Sequence, residues 1–340
     1  MKKECKRILL VIACTAAAVT AIAVPLTLYF LGIIDYAKPV ENSSDKYLFC
    51  YFVGNEPEQE RIHFAVSEDG YNFTPLNNNE PVITQALGTG SVRDPYIFKD
   101  QDGYYRIVAT DMRSEYGWSS NHCIITWKSA DLIHWTDEAL IDMWDYGLEN
   151  TVRAWAPQAI WDSEKNMYML YWANCEHDEA TGAWSKNVIW YAYTTDFKTL
   201  ETQPQILFEP TSCENAIDAD ILFKDGTYYM YFKDEDAKVT CLATADALTG
   251  PYRENDPREV SAFPGSTEGS LIYNITGTDT YVMMLDAYSD GKYLMQQTTD
   301  LVHFKRLRGR DYSLDFGPRH GSVVAISDSE YEALVNHFGI

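Results

Sequence analysis

The stretch Ser91-Val-Arg-Asp-Pro-Tyr-Ile-Phe98 opens a unit that the chain repeats, and the repeat constrains the fold more than any single motif does. A short apolar strand with Asp94 near its head leads through an Asp102-Gly103 turn to a second strand beginning at Tyr104, and a third runs from Cys123 to Trp127. The unit ends in the turn Ser129-Ala-Asp131, with Trp135 four positions after the aspartate. That ending recurs at Asp69 with Phe73, Asp196 with Leu200, Asp246 with Tyr252 and Asp300 with Phe304. Repeats of roughly 50 to 65 residues, each a short antiparallel sheet, are the signature of a β-propeller.

The heads of the units are Arg93-Asp94-Pro95, Trp155-Ala156-Pro157, Ile217-Asp218-Ala219, Thr267-Glu268-Gly269 and Arg319-His320-Gly321. Only a tail follows the last, whereas residues 47–76 supply strands with no head of their own. The two ends are therefore expected to complete one shared blade, which closes the ring and removes exposed sheet edges. The expected fold is all-β, a five-bladed β-propeller over 47–340, preceded by an N-terminal hydrophobic helix.

Lys2, Lys3, Lys6 and Arg7 precede a run from Ile8 to Ile34 that carries no charge. As a helix this run would reach roughly 40 Å, more than the roughly 30 Å apolar core of a bilayer. Residues 1–34 read as a signal anchor or signal peptide, and the basic flank would send the propeller outside the cytoplasm. Ala21-Ile-Ala23 is the rival cleavage pattern, but the apolar run continues beyond it, which favours an uncleaved anchor. Cys14 follows too short an apolar stretch for a lipid-attachment site. Residues 35–46 read as a polar linker.

The formal charge of −23 argues against a nucleic-acid groove, because phosphate binding needs clustered Lys and Arg. A polyanionic ligand is disfavoured too, unless a local basic pocket overrules the global field. Cys50, Cys123, Cys175, Cys213 and Cys241 have no CxxC spacing, so the sequence offers no zinc motif and no pairing scheme.

Asp94, Asp218 and Glu268 align at the same point of three first strands. First strands line a propeller's axis, so the three acids should meet at one end of the channel. Like charges held together raise one another's pKa, a cost that function must justify. The chemistry served by such a set is glycoside hydrolysis, in which one carboxyl protonates the leaving oxygen and another activates water. A non-catalytic sugar-binding propeller is the alternative, and loss of any of the acids would have favoured it.

The ordered series of heads resembles glycoside hydrolase family 43, the inverting five-bladed propeller enzymes that include α-L-arabinofuranosidases and β-xylosidases. The resemblance runs from about Tyr47 to the end. It implies that Asp94 is the general base, Glu268 the general acid and Asp218 the acid that tunes it. Where many relatives continue the Asp218 motif with proline, this chain reads Asp218-Ala219-Asp220, which makes Asp220 a substitute candidate. Trp155 is a candidate stacking platform, and Arg93 and Arg319 could hold sugar hydroxyls or a carboxylate. By resemblance His320 points into the axial channel, where relatives hold a calcium ion; the chemistry itself requires no cofactor. The expected partner is an oligo- or polysaccharide bound by a monomer, with α-L-arabinofuranosyl or β-xylosyl groups released. A β-galactofuranosidase or galactosidase of the same fold is the alternative enzyme. The loops Asp111 to Asn121 and Asn174 to Lys186 should shape the pocket, but their residues spell no particular sugar.

Overall fold

A computed structural model describes residues 35–40 and 45–340. Five antiparallel sheets are present among them. Blade I comprises Val92–Lys99, Tyr105–Asp111, Cys123–Ser129 and Trp135–Asp142; blade II comprises Thr151–Asp162, Met167–Asp178, Val188–Thr194 and Gln205–Phe208, with the short extra strand Ala183–Trp184. Blade III runs through Ala216–Lys224, Thr227–Asp234, Val239–Ala245 and Arg253–Glu259. Blade IV follows with Glu268–Asn274, Tyr281–Ala287, Lys292–Thr298 and Lys305–Arg306. In blade V the inner strand is Ser322–Ile326, and Lys46–Tyr51, His63–Ser67 and Phe73–Pro75 lie outside it.

The expected closure is present. Ser322–Ile326 runs antiparallel to Lys46–Tyr51, with Ser322 opposite Cys50 and Ile326 opposite Lys46. The inner strands of neighbouring blades touch one another all the way round, which makes the sheets a closed propeller. The core is divided accordingly into five apolar clusters, one at each junction between blades. Leu48, Phe64, Ile97 and Ile107, for example, fill the junction of blades V and I.

The repeated turn has a physical basis. Ser129 Oγ accepts from the Leu132 N–H, and Asp131 Oδ1 accepts from the N–H groups of Ile133 and His134. Leu132 takes a φ of +66° in this turn, as do Phe197 at +61° and Leu301 at +64° in their copies. Such side-chain acceptors stabilise an otherwise costly left-handed backbone. Blade III departs from the pattern: Thr244 turns its hydroxyl to Asn255, and Tyr252 follows Asp246 by six positions instead of four.

Two segments outside the blades are packed on them. The tail is an α-helix, α1 (Asp328–Phe338), begun by a capping box in which Ser327 and Glu330 satisfy each other's backbone N–H groups. It lays Leu334 on the V–I junction. Of the segment read as a linker, residues 35–40 are docked on the domain: Ala37 is buried, and its N–H donates to the Arg306 carbonyl at the outer edge of blade IV. The signal anchor or signal peptide expected at residues 1–34 lies outside the described residues. Among the described residues no helix is long and apolar enough to cross a membrane.

Gly321 sits where the closing strand meets its partner, and a Cβ there would stand 2.0 Å from the Cys50 carbonyl oxygen. Neither backbone can move without opening the ladder. Gly321→Ala should therefore lower the melting temperature markedly, whereas Gly309→Ala, which meets nothing within 4 Å, should leave it nearly unchanged. Comparable melting temperatures for the two variants would remove ring closure as a source of stability.

Candidate active site

Four of the five inner strands, all but the closing Ser322–Ile326, begin with an irregularity that aims side chains at the axis. The ladder skips between Arg93 and Tyr96, between Trp155 and Gln158, between Ile217 and Asp220, and between Glu268 and Leu271. In each, the residue after the first has a left-handed backbone: Asp94 at +50°, Ala156 at +46°, Asp218 at +54° and Gly269 at +53°. These bulges bend the strand and re-aim what it carries.

The alignment of the three acids is thereby corrected. Asp94 and Asp218 are equivalent, but the residue equivalent to them in blade IV is Gly269. Glu268 stands one place earlier, equivalent to Arg93, Trp155 and Ile217, and faces Asp286 as those face Thr110, Ala173 and Lys233. One residue along an extended strand changes the face on which a side chain stands. Gly269 must remain small, since a Cβ on it would come within 2.4 Å of the His320 ring.

Asp94, Asp218, Glu268, Arg93, Trp155, Arg319 and His320 nevertheless line a single cavity of about 530 Å³. Asp94 accepts from the Thr110 hydroxyl at 3.0 Å, and its other oxygen lies 3.4 Å from His320 Nδ1. The same ring nitrogen is 4.0 Å from Asp218, whose second oxygen accepts from the Gly269 N–H at 2.9 Å. Glu268 is held by Lys233 at 2.9 Å and by Arg319 at 2.8 Å, and Arg319 is fixed in turn by buried Asp286 at 2.6 Å.

The two equivalent aspartates sit in opposed electrostatic environments. Burial pushes the Asp94 carboxyl up, but the hydrogen bond and charge of His320, with Arg93 behind, outweigh it and hold it below the ordinary carboxylate range. Asp218 is pushed above that range, by burial first and then by Glu268 and Asp94, against the pull of His320 and Lys233. His320 itself is raised to about 9: burial opposes its charge, but Asp218, Asp94 and Glu268 together prevail. Asp286 is raised to about 6, mainly by burial. A pair of carboxyls driven apart in this way is suited to divided acid and base roles.

Arg93 is tied by a buried ion pair to Glu60 and a hydrogen bond to Asn55, and lies against Phe52 and Trp118. Trp155 contributes part of the wall, with Arg153 stacked on its ring. Asp220 does not line the cavity. The bulge leaves Asp218 at the axis and turns Asp220 into the III–IV junction, where it accepts from the Ile272 N–H at 2.9 Å. Lys233, Arg153, Asn55, Trp118, Asn187, Glu235 and Tyr288 line the cavity without having been singled out in the sequence. The signal for Lys233 was its place on the second strand opposite a first-strand head, where Thr110 and Asp286 also stand. The loop 111–121 does shape the pocket, through Met112 and Trp118.

For a metal at the axis the donor set fits poorly. Both Asp94 and Asp218 approach His320 Nδ1, and with Glu268 they favour its charged form, which cannot ligate a cation. Among the described residues, the groups of three ligand-type side chains with donor atoms within 4.8 Å of one another are His122, Cys123 and Asp142, and Cys213, Asp234 and Asp236. Neither includes His320. The five domain cysteines are all unpaired.

A five-bladed propeller whose acids, paired cations and aromatic residues share one axial cavity is the architecture of a propeller glycosidase. Residues 42–332 match the family model described as "Probable glycosyl hydrolase domain", related to glycoside hydrolase family 43. The chain belongs to that family. It is similar to an α-L-arabinofuranosidase of Bifidobacterium longum subsp. longum, with 26% identity over 232 residues that span 60% of this chain and 22% of that protein. Thus the chain matches only about a fifth of that relative's length. In fold it is similar to a xylan β-1,4-xylosidase of Bacillus halodurans, with a TM-score of 0.56 and 11% identity over 85% of this chain and 58% of that one. An α-L-arabinanase of Cellvibrio cellulosa gives a TM-score of 0.53 and 14% identity, over 84% of this chain and 99% of that one.

Burial raises the Asp220 carboxyl to about 7 from an ordinary 3.8. The folded protein therefore keeps a proton that the unfolded chain gives up, and this site's contribution to stability falls as pH rises from about 4 to about 7. Asp220→Asn keeps an acceptor for Ile272 and removes the titration. The variant's melting temperature should gain on the wild type progressively up to about pH 7 and hold a constant lead above it. A difference independent of pH between about 4 and 8 would contradict the assignment.

Proposed function

We propose that the chain is an inverting glycoside hydrolase that releases α-L-arabinofuranosyl or β-xylosyl groups from an oligo- or polysaccharide. The observation that carries this reading is the contrast between Asp94, held ionised, and its equivalent Asp218, held toward protonation, in one cavity with Glu268. Asp94 takes a proton from water as the water oxygen attacks the anomeric carbon. Glu268 gives a proton to the glycosidic oxygen as the bond to that carbon breaks. Asp218 and Asp286 set the field around Glu268, while Arg319 and Lys233 fix its position. Inversion is supported by the family to which the chain is related; the base is held by Thr110 and His320, and the acid by Lys233 and Arg319. A water must fit between acid and base in such an enzyme.

The sugar class is supported by the names of the Bifidobacterium and Bacillus relatives, an arabinofuranosidase and a xylosidase. The proposal needs no cofactor and places the enzyme outside the cytoplasm as a monomer, carried by the uncharged run from Ile8 to Ile34. A panel of nitrophenyl glycosides covering arabinofuranose, xylopyranose, galactose and galactofuranose tests the activity. No chromophore from any of them would instead favour a carbohydrate-binding propeller.

With the sugar identified, NMR of the first product gives its anomeric form, and retention would sink the mechanism. Asp94→Asn should lower kcat by about 10² to 10⁴ on every substrate, the usual contribution of general acid-base catalysis. Glu268→Gln should lose a comparable factor on substrates with poor leaving groups and far less on nitrophenyl glycosides, which need little protonation. If that dependence on leaving group follows Asp218→Asn instead, Asp218 is the proton donor.

A further inference from the structure

Four arginine and lysine side chains line the cavity, and three of them are committed to carboxylates. Arg93 pairs with Glu60, Lys233 with Glu268 and Glu235, and Arg319 with Glu268 and Asp286. The fourth, Arg153, has no carboxylate within 4.0 Å among the described residues, although the chain carries a net charge of −23.

Arg153 is nonetheless built in. Its guanidinium lies 4.9 Å from the Trp155 ring and 5.7 Å from the Trp184 ring. Its Nε donates to Ser119 Oγ at 3.1 Å, and its Nη1 donates to Asn187 Oδ1 at 3.4 Å. These neutral partners fix the plane of the group and use two of its five N–H donors. The remaining donors are left to the cavity, where Trp155 and Asn187 are neighbours in the wall. Trp184, 53% exposed, lies against this guanidinium, and Trp118, 50% exposed and next to Ser119 in sequence, lines the same cavity. A planar fork presented beside aromatic platforms matches a carboxylate carried on a sugar ring, accepted in bidentate fashion while the ring stacks.

We infer that Arg153 selects an acidic sugar, a uronic acid unit next to the one that is cleaved. The inference rests on the sugar reading of the cavity but not on its catalysis. Asp94 and Asp218 both approach His320 Nδ1, whereas Arg153 is anchored through Ser119 and Asn187, so the fork that receives the anion has partners separate from theirs. One acidic sugar is compatible with the acidic surface. A polyanion, which would meet that surface along its length, is not.

The test uses binding rather than turnover, so its failure is distinct from failure of the glycosidase assignment. Binding of glucuronate and galacturonate is compared with that of glucose and galactose by saturation-transfer NMR on the whole protein, with glucose 6-sulfate as a further arm. At least one uronate should bind about tenfold more tightly than its neutral parent, the scale of a charge-assisted pair of hydrogen bonds. Arg153→Gln, which keeps a polar group near the level of Nε and removes the charged fork, should bring that ratio to about one. Equal binding of uronates and neutral sugars by the wild type overturns the inference even if the variant fails to fold. So does a preference that survives in Arg153→Gln, or a preference for the sulfate ester with none for either uronate.

Discussion

A propeller's inner strands each have one edge that no sheet partner covers, and this molecule meets that constraint by donating each edge to the next blade. At the V–I junction Ser322 accepts from the Ile97 N–H; at I–II Thr110 accepts from the Ala156 N–H; at II–III Tyr171 accepts from the Ile221 N–H. Asp218 and Asp220 accept from Gly269 and Ile272 at III–IV, and Asp286 accepts from His320 at IV–V. All five junctions are bridged in the same sense. Buried backbone donors left unpaired would cost about 1–3 kcal/mol each, so the ring of acceptors is a condition of the fold as well as a feature of the site.

Two of those acceptors, Asp218 and Asp286, also belong to the charge cluster around the axis, where Glu268 raises both. A carboxylate placed to satisfy a neighbouring blade's N–H is thereby buried at the axis, and burial raises it. The cationic side chains answer this concentration of acid: Lys233 and Arg319 each bind Glu268, and His320 turns one ring nitrogen to both equivalent aspartates. Structural satisfaction and the charge balance of the cavity share the same atoms here.

The repeat made much of this legible from the residues alone. Asp94 and Asp218 could be found because each heads a strand of fixed pattern, and the shared blade followed from a head without strands and strands without a head. The offset of Glu268 could not, because a bulge is a backbone event: Thr267-Glu268-Gly269 aligns as well by letters as it fails to align by φ. Asp220 was drawn in by the same blindness, two residues along a strand that does not keep its alternation. Lys233 and Asp286 were invisible because their importance lies in what stands across the ladder from them. The helix α1 was signalled by Ser327 and Glu330, a local pattern overlooked beside a repeat that ends before it.

Arg319 and His320 belong to the blade that closes the ring, and synthesis reaches them after all the others have been made. The nascent chain can build Asp94, Asp218 and their sheets one after another, domain pieces folding from the N-terminal side as they emerge. Until the last inner strand docks beside Lys46–Tyr51, however, Glu268 lacks its arginine and Asp94 its imidazole. The axial cavity thus acts as a seal of completeness: a chain truncated by stalled translation or clipped near Gly321 would retain most of its sheets and lack the assembled cluster of acids and cations.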